Sequence, residues 1–429
     1  MRAMAVLLLL LAGSVAADDD RHVFVTGVDT SLVQTSTPLT SWTEGGVGKL
    51  RYDEDHDGLR LSRAFFDYRG RLTSTLNVRA TLNYNPDIDG ELDFTEAYLE
   101  FRPVPNSAWR WRAKLGAFYP QISMENVDVA WSTPYTLSSS TINSWIAEEL
   151  RIIGLEWSVQ RDGFAPGSPH HFGAEAAIFF ANDPTGAYVA WKGWSVHDRQ
   201  TGLRGKLPLP PLPLIQPGGP APTQDPHVEP FREIDHQAGF YVGGNYRYRE
   251  RFRINMLHYD NHADPEAESG GQYAWATWFN HLGVQFALPG DIGLIGQWVD
   301  GRTQMGPDVG PTRLIDAYFD AWSTLATKAL GRHRVSLRYD DFNLGQYDTT
   351  SFDNQLEHGD AWTVAWLYQH SPALRFGLEY VQIYTDRLAW MYYPDSEAAT
   401  CGPGGIVPCD MTEKQLQLTL RWLFSNQSL

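Results

Sequence analysis

The 429-residue sequence predicts an all-β protein: a transmembrane antiparallel β-barrel of about sixteen strands, with long external loops and one inserted constriction loop. Three observations carry this prediction. Apolar and polar residues alternate over many short segments, short and long links follow one another along the chain, and no apolar run beyond the first residues is long enough for a spanning helix. A helix needs about 20 apolar residues to cross a bilayer, whereas a barrel crosses with strands whose two faces differ.

The first residues set the compartment. Arg2 precedes an apolar run, Ala5 to Leu11, and the small residues Gly13 to Ala17 precede three aspartates. That order is a secretory leader, expected over residues 1–17. Residues 18–43 are expected to form a periplasmic or lumenal segment, 44–424 the barrel, and 425–429 a tail. Export to the outer membrane of a Gram-negative cell follows from leader and barrel together.

The strands are read from period two, because successive side chains point to opposite faces. From Leu72 to Tyr84, one face carries Leu72, Leu76, Val78, Ala80 and Leu82, and the other Thr73, Thr75, Asn77, Arg79, Thr81 and Asn83. Trp109 to Leu115 sets Trp109, Trp111 and Leu115 against Arg110, Arg112 and Lys114. Arg334 to Tyr339 and Gln415 to Phe424 repeat the theme. Short links at 69–71, 249–251, 289–291, 331–332 and 371–372 alternate with longer ones at 53–58, 85–90, 119–148, 182–236, 260–271, 303–312, 343–359 and 387–413. This rhythm of tight turns and long loops places both chain ends on the periplasmic side. The first strand is expected near Gly48 to Tyr52. Tyr188 to Gly205 reads either as a strand or as part of a large loop folded into the barrel. The proline-rich 207–230 segment cannot form a ladder and reads as an extended loop.

The net charge of −17 argues against nucleic acid as a partner. No G-x-S-x-G, H-E-x-x-H or P-loop occurs, so no enzyme and no cofactor is expected. Two other classes remain beside a channel: a secreted soluble all-β carbohydrate-binding protein and an outer-membrane barrel enzyme. Cys401 and Cys409 stand in a Gly/Pro-rich stretch and are expected to form one local disulfide in an exported chain, or to remain two loop thiols. Asp53 to Gly58 has the alternate carboxylates of half a calcium loop, but position twelve is Ala64, so no metal is assigned.

Charge on the lipid face costs roughly 2–4 kcal/mol for Arg or Lys at the midplane, so the charged faces are expected to turn inward. The basic lining candidates are Arg79, Arg110, Arg112, Lys114, Arg334, Arg338 and Arg421, accompanied by Arg247, Arg253 and Arg375. Glu96, Glu100, Glu156, Glu175, Asp316, Asp320, Asp340 and Glu379 are expected beside them. Such a wall is wet and of mixed sign, which suits passive diffusion of small hydrophilic or ionic solutes. The 119–148 link is too apolar to move freely in water. Folded into the barrel mouth, it would bury Trp131, Tyr135 and Trp145 and set Glu125 and Asp128 opposite the Arg110, Arg112 and Lys114 ladder, a transverse field that discriminates solutes. The alternative is a packed external cap.

Leu59 to Ala64, then Asp93 to Phe101 with its E-A-Y-L-E-F phrase, then the basic strand ending in Lys114-Leu115-Gly116-Ala117-Phe118, resemble the phosphate-selective porin O and P group. The likeness in layout spans the barrel, and its motifs lie in the first third. It implies a sixteen-stranded, trimeric channel in contact with outer-membrane lipid and lipopolysaccharide. The aromatic last strand ending at Phe424 is like the signal read by the barrel-assembly machinery, although five residues follow it. Phosphate preference is not implied securely, because Glu96 and Glu100 face the short basic ladder.

Overall fold

The computed structural model describes residues 21–37, 39–88, 92–161, 167–350, 353–387 and 410–427. Sixteen strands pair in chain order into one closed antiparallel barrel. They are β1 (His22–Ser36), β2 (Gly58–Arg71), β3 (Leu76–Tyr84), β4 (Leu92–Phe101), β5 (Trp109–Phe118), β6 (Ile152–Arg161), β7 (His170–Phe180), β8 (Gly239–Tyr248), β9 (Phe252–Asp260), β10 (Ala276–Leu288), β11 (Ile292–Val309), β12 (Thr312–Leu330), β13 (His333–Gln346), β14 (Glu357–Ser371), β15 (Leu374–Arg387) and β16 (Asp410–Ser425). Two helices, α1 (Thr141–Glu149) and α2 (Ala187–Lys192), lie in loops. No helix among the described residues is long and apolar enough to cross a membrane.

Closure leaves no sheet edge, so every strand finds partners on both sides. The seam joins β1 to β16, from Val25 opposite Ser425 to Ser36 opposite Lys414. The tail completes it: the Phe24 N–H donates to Asn426 Oδ1, and Asn426 Nδ2 donates to the His22 carbonyl.

The alternation behaves as expected on most strands. Trp111, Leu115, Leu155, Trp157, Ile178, Trp362, Val364, Leu418 and Trp422 all lie exposed on the outer face. In a bilayer that face meets hydrocarbon. Their strand neighbours Lys114, Glu156, Ser158, Ala177, Thr363 and Gln417 are buried inside. Asp316 and Asp320 correct the inward set. They share the parity of Trp322, which is 40% exposed on the outer face, and Asp320 sits in register with Asp300 and Asn343. β11 and β12 are the longest strands, 18 and 19 residues, and this polar row lies on their long-loop side.

Two boundaries also differ from expectation, and one open reading is decided. The first strand is His22–Ser36, so the barrel does not begin at residue 44, and Gly48 to Tyr52 belongs to a loop inside the lumen. The sequence of β1 hides it. Both of its faces are mixed, with Val25 and Val33 beside Asp29 and Ser31 among the buried inward residues and Thr30 and Gln34 in the outward row, so period two does not separate polar from apolar. The 303–312 link is a hairpin rather than a long loop, with β11 and β12 running to a turn at Gly310-Pro311 and a shift between Met305 and Asp308. Of the two readings of Tyr188 to Gly205, the loop folded into the barrel is the one found, and it carries α2.

Inside the long-loop half, the loops build a core of their own. Trp145 of α1 meets Trp194 at 6.1 Å and Phe279 and Phe319 of the wall at 5.1 Å each. Phe118, Ile146, Leu150, Ile152, Val189, Tyr241 and Phe342 join the same buried cluster. A barrel of this size would otherwise be water-filled. Here apolar burial inside the lumen, at roughly 25 cal/mol per Å², stabilises the inserted loops.

Candidate functional site: a charged vestibule beneath inserted loops

The chain-end half of the lumen is open. A cavity of about 870 Å³ is walled by β1 to β9 and roofed by residues 119–128 and Trp131. Nine Arg or Lys residues line it, against four Asp or Glu, in a chain of net charge −17. Strand register sets the arrangement. Glu100 faces Lys114 across β4 and β5, and Lys114 faces Glu156 across β5 and β6.

The expected basic ladder is therefore matched by carboxylates. Arg112 reaches Glu100 at 3.6 Å and Ser158 at 3.2 Å. Lys114 pairs with Glu156 at 3.1 Å, whose other oxygen accepts from the Tyr241 hydroxyl. Arg79 binds Asp67 at 3.1 Å and approaches Glu96 at 3.7 Å. Arg110 is paired in register with Gln160 near the exposed strand end and is not part of the cavity lining.

The 119–151 segment is inserted into the barrel, but its carboxylates do not face that ladder. Asp128 lies 3.6 Å from Arg375 of β15. Next to it, Arg421 holds Asp29 through two 2.7 Å bonds and donates to Ser132 Oγ at 3.0 Å. Glu125 turns inward to the loop itself, accepting from the Ser140 N–H and from Asn143 Nδ2 at 2.9 Å. Burial pushes its carboxyl above the ordinary range, although Arg338 opposes the shift. The transverse pairing thus runs from the loop to β13, β15 and β16. Sequence could not choose between the two walls, because that depends on the path of the loop across the lumen.

Arg338 is not solvent-lining. It is fully buried, bonded to Asp340 at 2.8 Å and to the carbonyls of Ser138 and Ser139 at 2.8 Å each. Arg334 stacks over the Tyr135 ring at 5.3 Å. Trp131 lies flat on Tyr119 at 4.0 Å and lines the vestibule roof. Trp145 belongs to the core above and not to a constriction. At the tip of the segment, Ala130 and Trp131 both have left-handed backbone, φ 51° and 53°, which costs an L-residue roughly 1–2 kcal/mol. Arg63 and Gln200 hold that tip by donating to the Ala130 carbonyl at 2.7 and 3.0 Å.

Above the roof, buried ionic groups tie loop to loop. Glu149 ends α1; its Oε1 accepts the N–H groups of Gly186 and Tyr188, and its Oε2 those of Val189 and the Trp145 indole, at 2.8–3.1 Å. The neighbouring Glu148 receives Lys192 at 2.5 Å and His197 at 2.9 Å. Burial alone would raise its pKa, but Lys192 and His197 outweigh it and hold the carboxyl at about 2. Lys49 pairs with Glu357 of β14 at 2.8 Å, and Arg387 binds the same carboxylate. None of these loop partners was legible in the sequence, which offered only scattered charges in long links.

The acidic 53–57 loop does not gather its carboxylates. Asp53 accepts the Ser41 N–H at 2.8 Å and contacts His56 at 2.6 Å, closing its own turn. Among the described residues one carboxylate trio does converge, Asp183, Glu233 and Asp235. Its oxygens accept the N–H groups of Ile234, Ala181 and His236 at 2.5–2.7 Å, which makes it a loop tie. Cys401 and Cys409 lie outside the described residues, as does the expected leader.

No family model matches the sequence, and no curated protein does. Solved structures do match. A loop-deletion mutant of OmpT, an outer membrane protein of Vibrio cholerae, aligns with a TM-score of 0.51 at 11% identity over 94% of this chain and 100% of that one. The outer membrane channel DcaP of Acinetobacter baumannii aligns at 0.50 and 13% identity over 94% and 96%. Salmonella typhi OmpF, in complex with daunomycin, aligns at 0.51 and 10% over 95% and 99%. At these identities the likeness is one of fold: the chain is a sixteen-stranded closed antiparallel barrel of the kind found in outer-membrane porins.

Proposed function

We propose that this protein is an outer-membrane porin that lets small hydrophilic or ionic solutes diffuse passively, with a preference for anions. The observation that carries this reading is the vestibule, a polar cavity inside a barrel whose outer face is apolar, with basic groups outnumbering acidic ones nine to four. Its charges lie where a solute entering from the chain-end side would meet them, and Trp and Leu side chains on the other face suit lipid. The inserted loops pack inside the lumen above the vestibule, so the 119–151 and 182–238 segments bound the path that a solute takes. Phosphate selectivity in the manner of the porin O and P group receives less support, because Arg112 and Lys114 are each matched by a glutamate. Assembly as a homotrimer, contact with lipopolysaccharide and insertion by the barrel-assembly machinery belong to the same proposal.

Planar bilayers test it. Purified protein should give discrete conductance steps, with a reversal potential in a salt gradient displaced to the anion side. A folded, inserted barrel that conducts at no voltage would overturn the reading, and so would release of the protein by osmotic shock without detergent.

A further inference from the structure

Most inward-facing arginines in this barrel have a carboxylate beside them. Among the described residues three that face the same loop segment have none within ion-pair distance: Arg63 of β2, whose donors are taken by Asn83 and the Ala130 carbonyl, and Arg253 of β9 and Arg334 of β13. Arg253 is exposed to the vestibule that it lines. Arg334 donates to Thr327 Oγ1 at 3.1 Å and lies over the ring of Tyr135 at 5.3 Å. Strand register places Gln285 of β10 directly opposite Arg253, and Gln285 Nε2 lies 3.5 Å from the Tyr135 hydroxyl. The four side chains thus form a continuous path from the vestibule edge to the inserted loop: Arg253, Gln285, Tyr135, Arg334.

An unmatched guanidinium on a partly enclosed wall is costly unless water or an anion completes its hydrogen bonds. Two of them flanking a phenol and a carboxamide offer donors alone at the charged positions, and a planar guanidinium fork fits the paired oxygens of a carboxylate or a phosphate. The Tyr135 hydroxyl, with Gln285 as donor to its oxygen, keeps its own hydrogen to give. We propose that Arg253, Gln285, Tyr135 and Arg334 form a binding station for the oxyanion group of a small solute, at the edge of the vestibule beneath the inserted loop. It rests on the channel reading, and it names the solute feature that such a channel would select.

The test uses the full barrel in detergent, titrated with inorganic phosphate and, separately, with succinate, and followed by calorimetry. Both probes should bind to the wild type. Arg253→Gln and Arg334→Gln should each weaken binding roughly tenfold or more, as expected for a charge-assisted hydrogen bond. Tyr135→Phe keeps the ring under Arg334 and removes only the hydroxyl, so it should weaken binding by a smaller factor. Arg204→Gln, which removes an exposed charge on the long-loop side, should leave affinity unchanged. Binding of phosphate alone would mark a tetrahedral site, and of succinate alone a carboxylate site; either supports the station. Wild type that binds neither probe at millimolar concentration would overturn it, as would a folded Arg253→Gln/Arg334→Gln variant that binds both unchanged. Conductance is read separately in bilayers. Steps without anion binding would sink the station and leave the channel, whereas binding without steps would do the reverse.

Discussion

The two halves of the lumen are built on different chemistry. On the chain-end side, charged side chains sit in pairs around about 870 Å³ of open space, and several remain partly exposed, such as Arg79 and Arg112 at 26% and 22%. On the long-loop side, equally charged groups are sealed among tryptophans: Lys192 and Glu148 are 0% and 2% exposed, and Trp145 is 1% exposed. A pair in contact with water contributes little to stability and much to the local field. A sealed pair contributes little net stability as a whole, but breaking it leaves an uncompensated charge. The partly exposed pairs of the first half are therefore expected to tolerate substitution, and the sealed pairs of the second to be brittle.

That contrast can be broken at the point of greatest expected effect, Glu149. Glu149→Ala leaves four buried donors without an acceptor, each costing about 1–3 kcal/mol. The 182–193 segment should detach from α1, read as new protease cleavage there and as larger or more frequent conductance steps. Trp145→Ala comes next, with a loss of about 3–5 kcal/mol for removing a large buried ring, visible as a lowered melting transition by circular dichroism in detergent. An unchanged melt would show that the loop core does not brace the barrel.

A pH titration sharpens the comparison. The Glu148 pKa is depressed to about 2 by Lys192 and His197 against the opposing effect of burial. Its stabilising contribution is therefore present above the unfolded carboxyl pKa of about 4.3 and is lost as pH falls toward 2. Tryptophan fluorescence of the inserted loops should change across that window, and Glu148→Gln should flatten the change. The smallest effect on stability is expected in the vestibule. Arg110→Ala/Arg112→Ala should shift the melt by under about 1 kcal/mol equivalent, while moving the reversal potential toward cations, because the partly exposed Glu100 would stand unmatched. A large loss of stability with no change in ion preference would invert the roles assigned to the two halves.

By itself, the sequence determined the barrel. Period two with polar and apolar faces, short links alternating with long ones, and the final aromatic strand follow from local geometry and from the cost of placing charge in lipid, so they are written residue by residue. The inward placement of Arg112, Lys114, Glu100 and Glu156 was legible for the same reason, as was the insertion of the 119–148 link, from its apolar content. Tertiary structure alone decided where the inserted residues went. β1 escapes period two because both its faces are mixed: Val25 packs inward with Phe65 and Ala130 in the same row as Asp29 and Ser31, while Thr30 and Gln34 lie on the outer row. Asp128 found Arg375, Glu149 found the backbone of α2, and Arg253 and Arg334 were left without carboxylates because of the path taken by loops tens of residues long. A local pattern records which face a side chain occupies; which groups meet across the lumen is fixed only when the barrel closes and the loops fold into it.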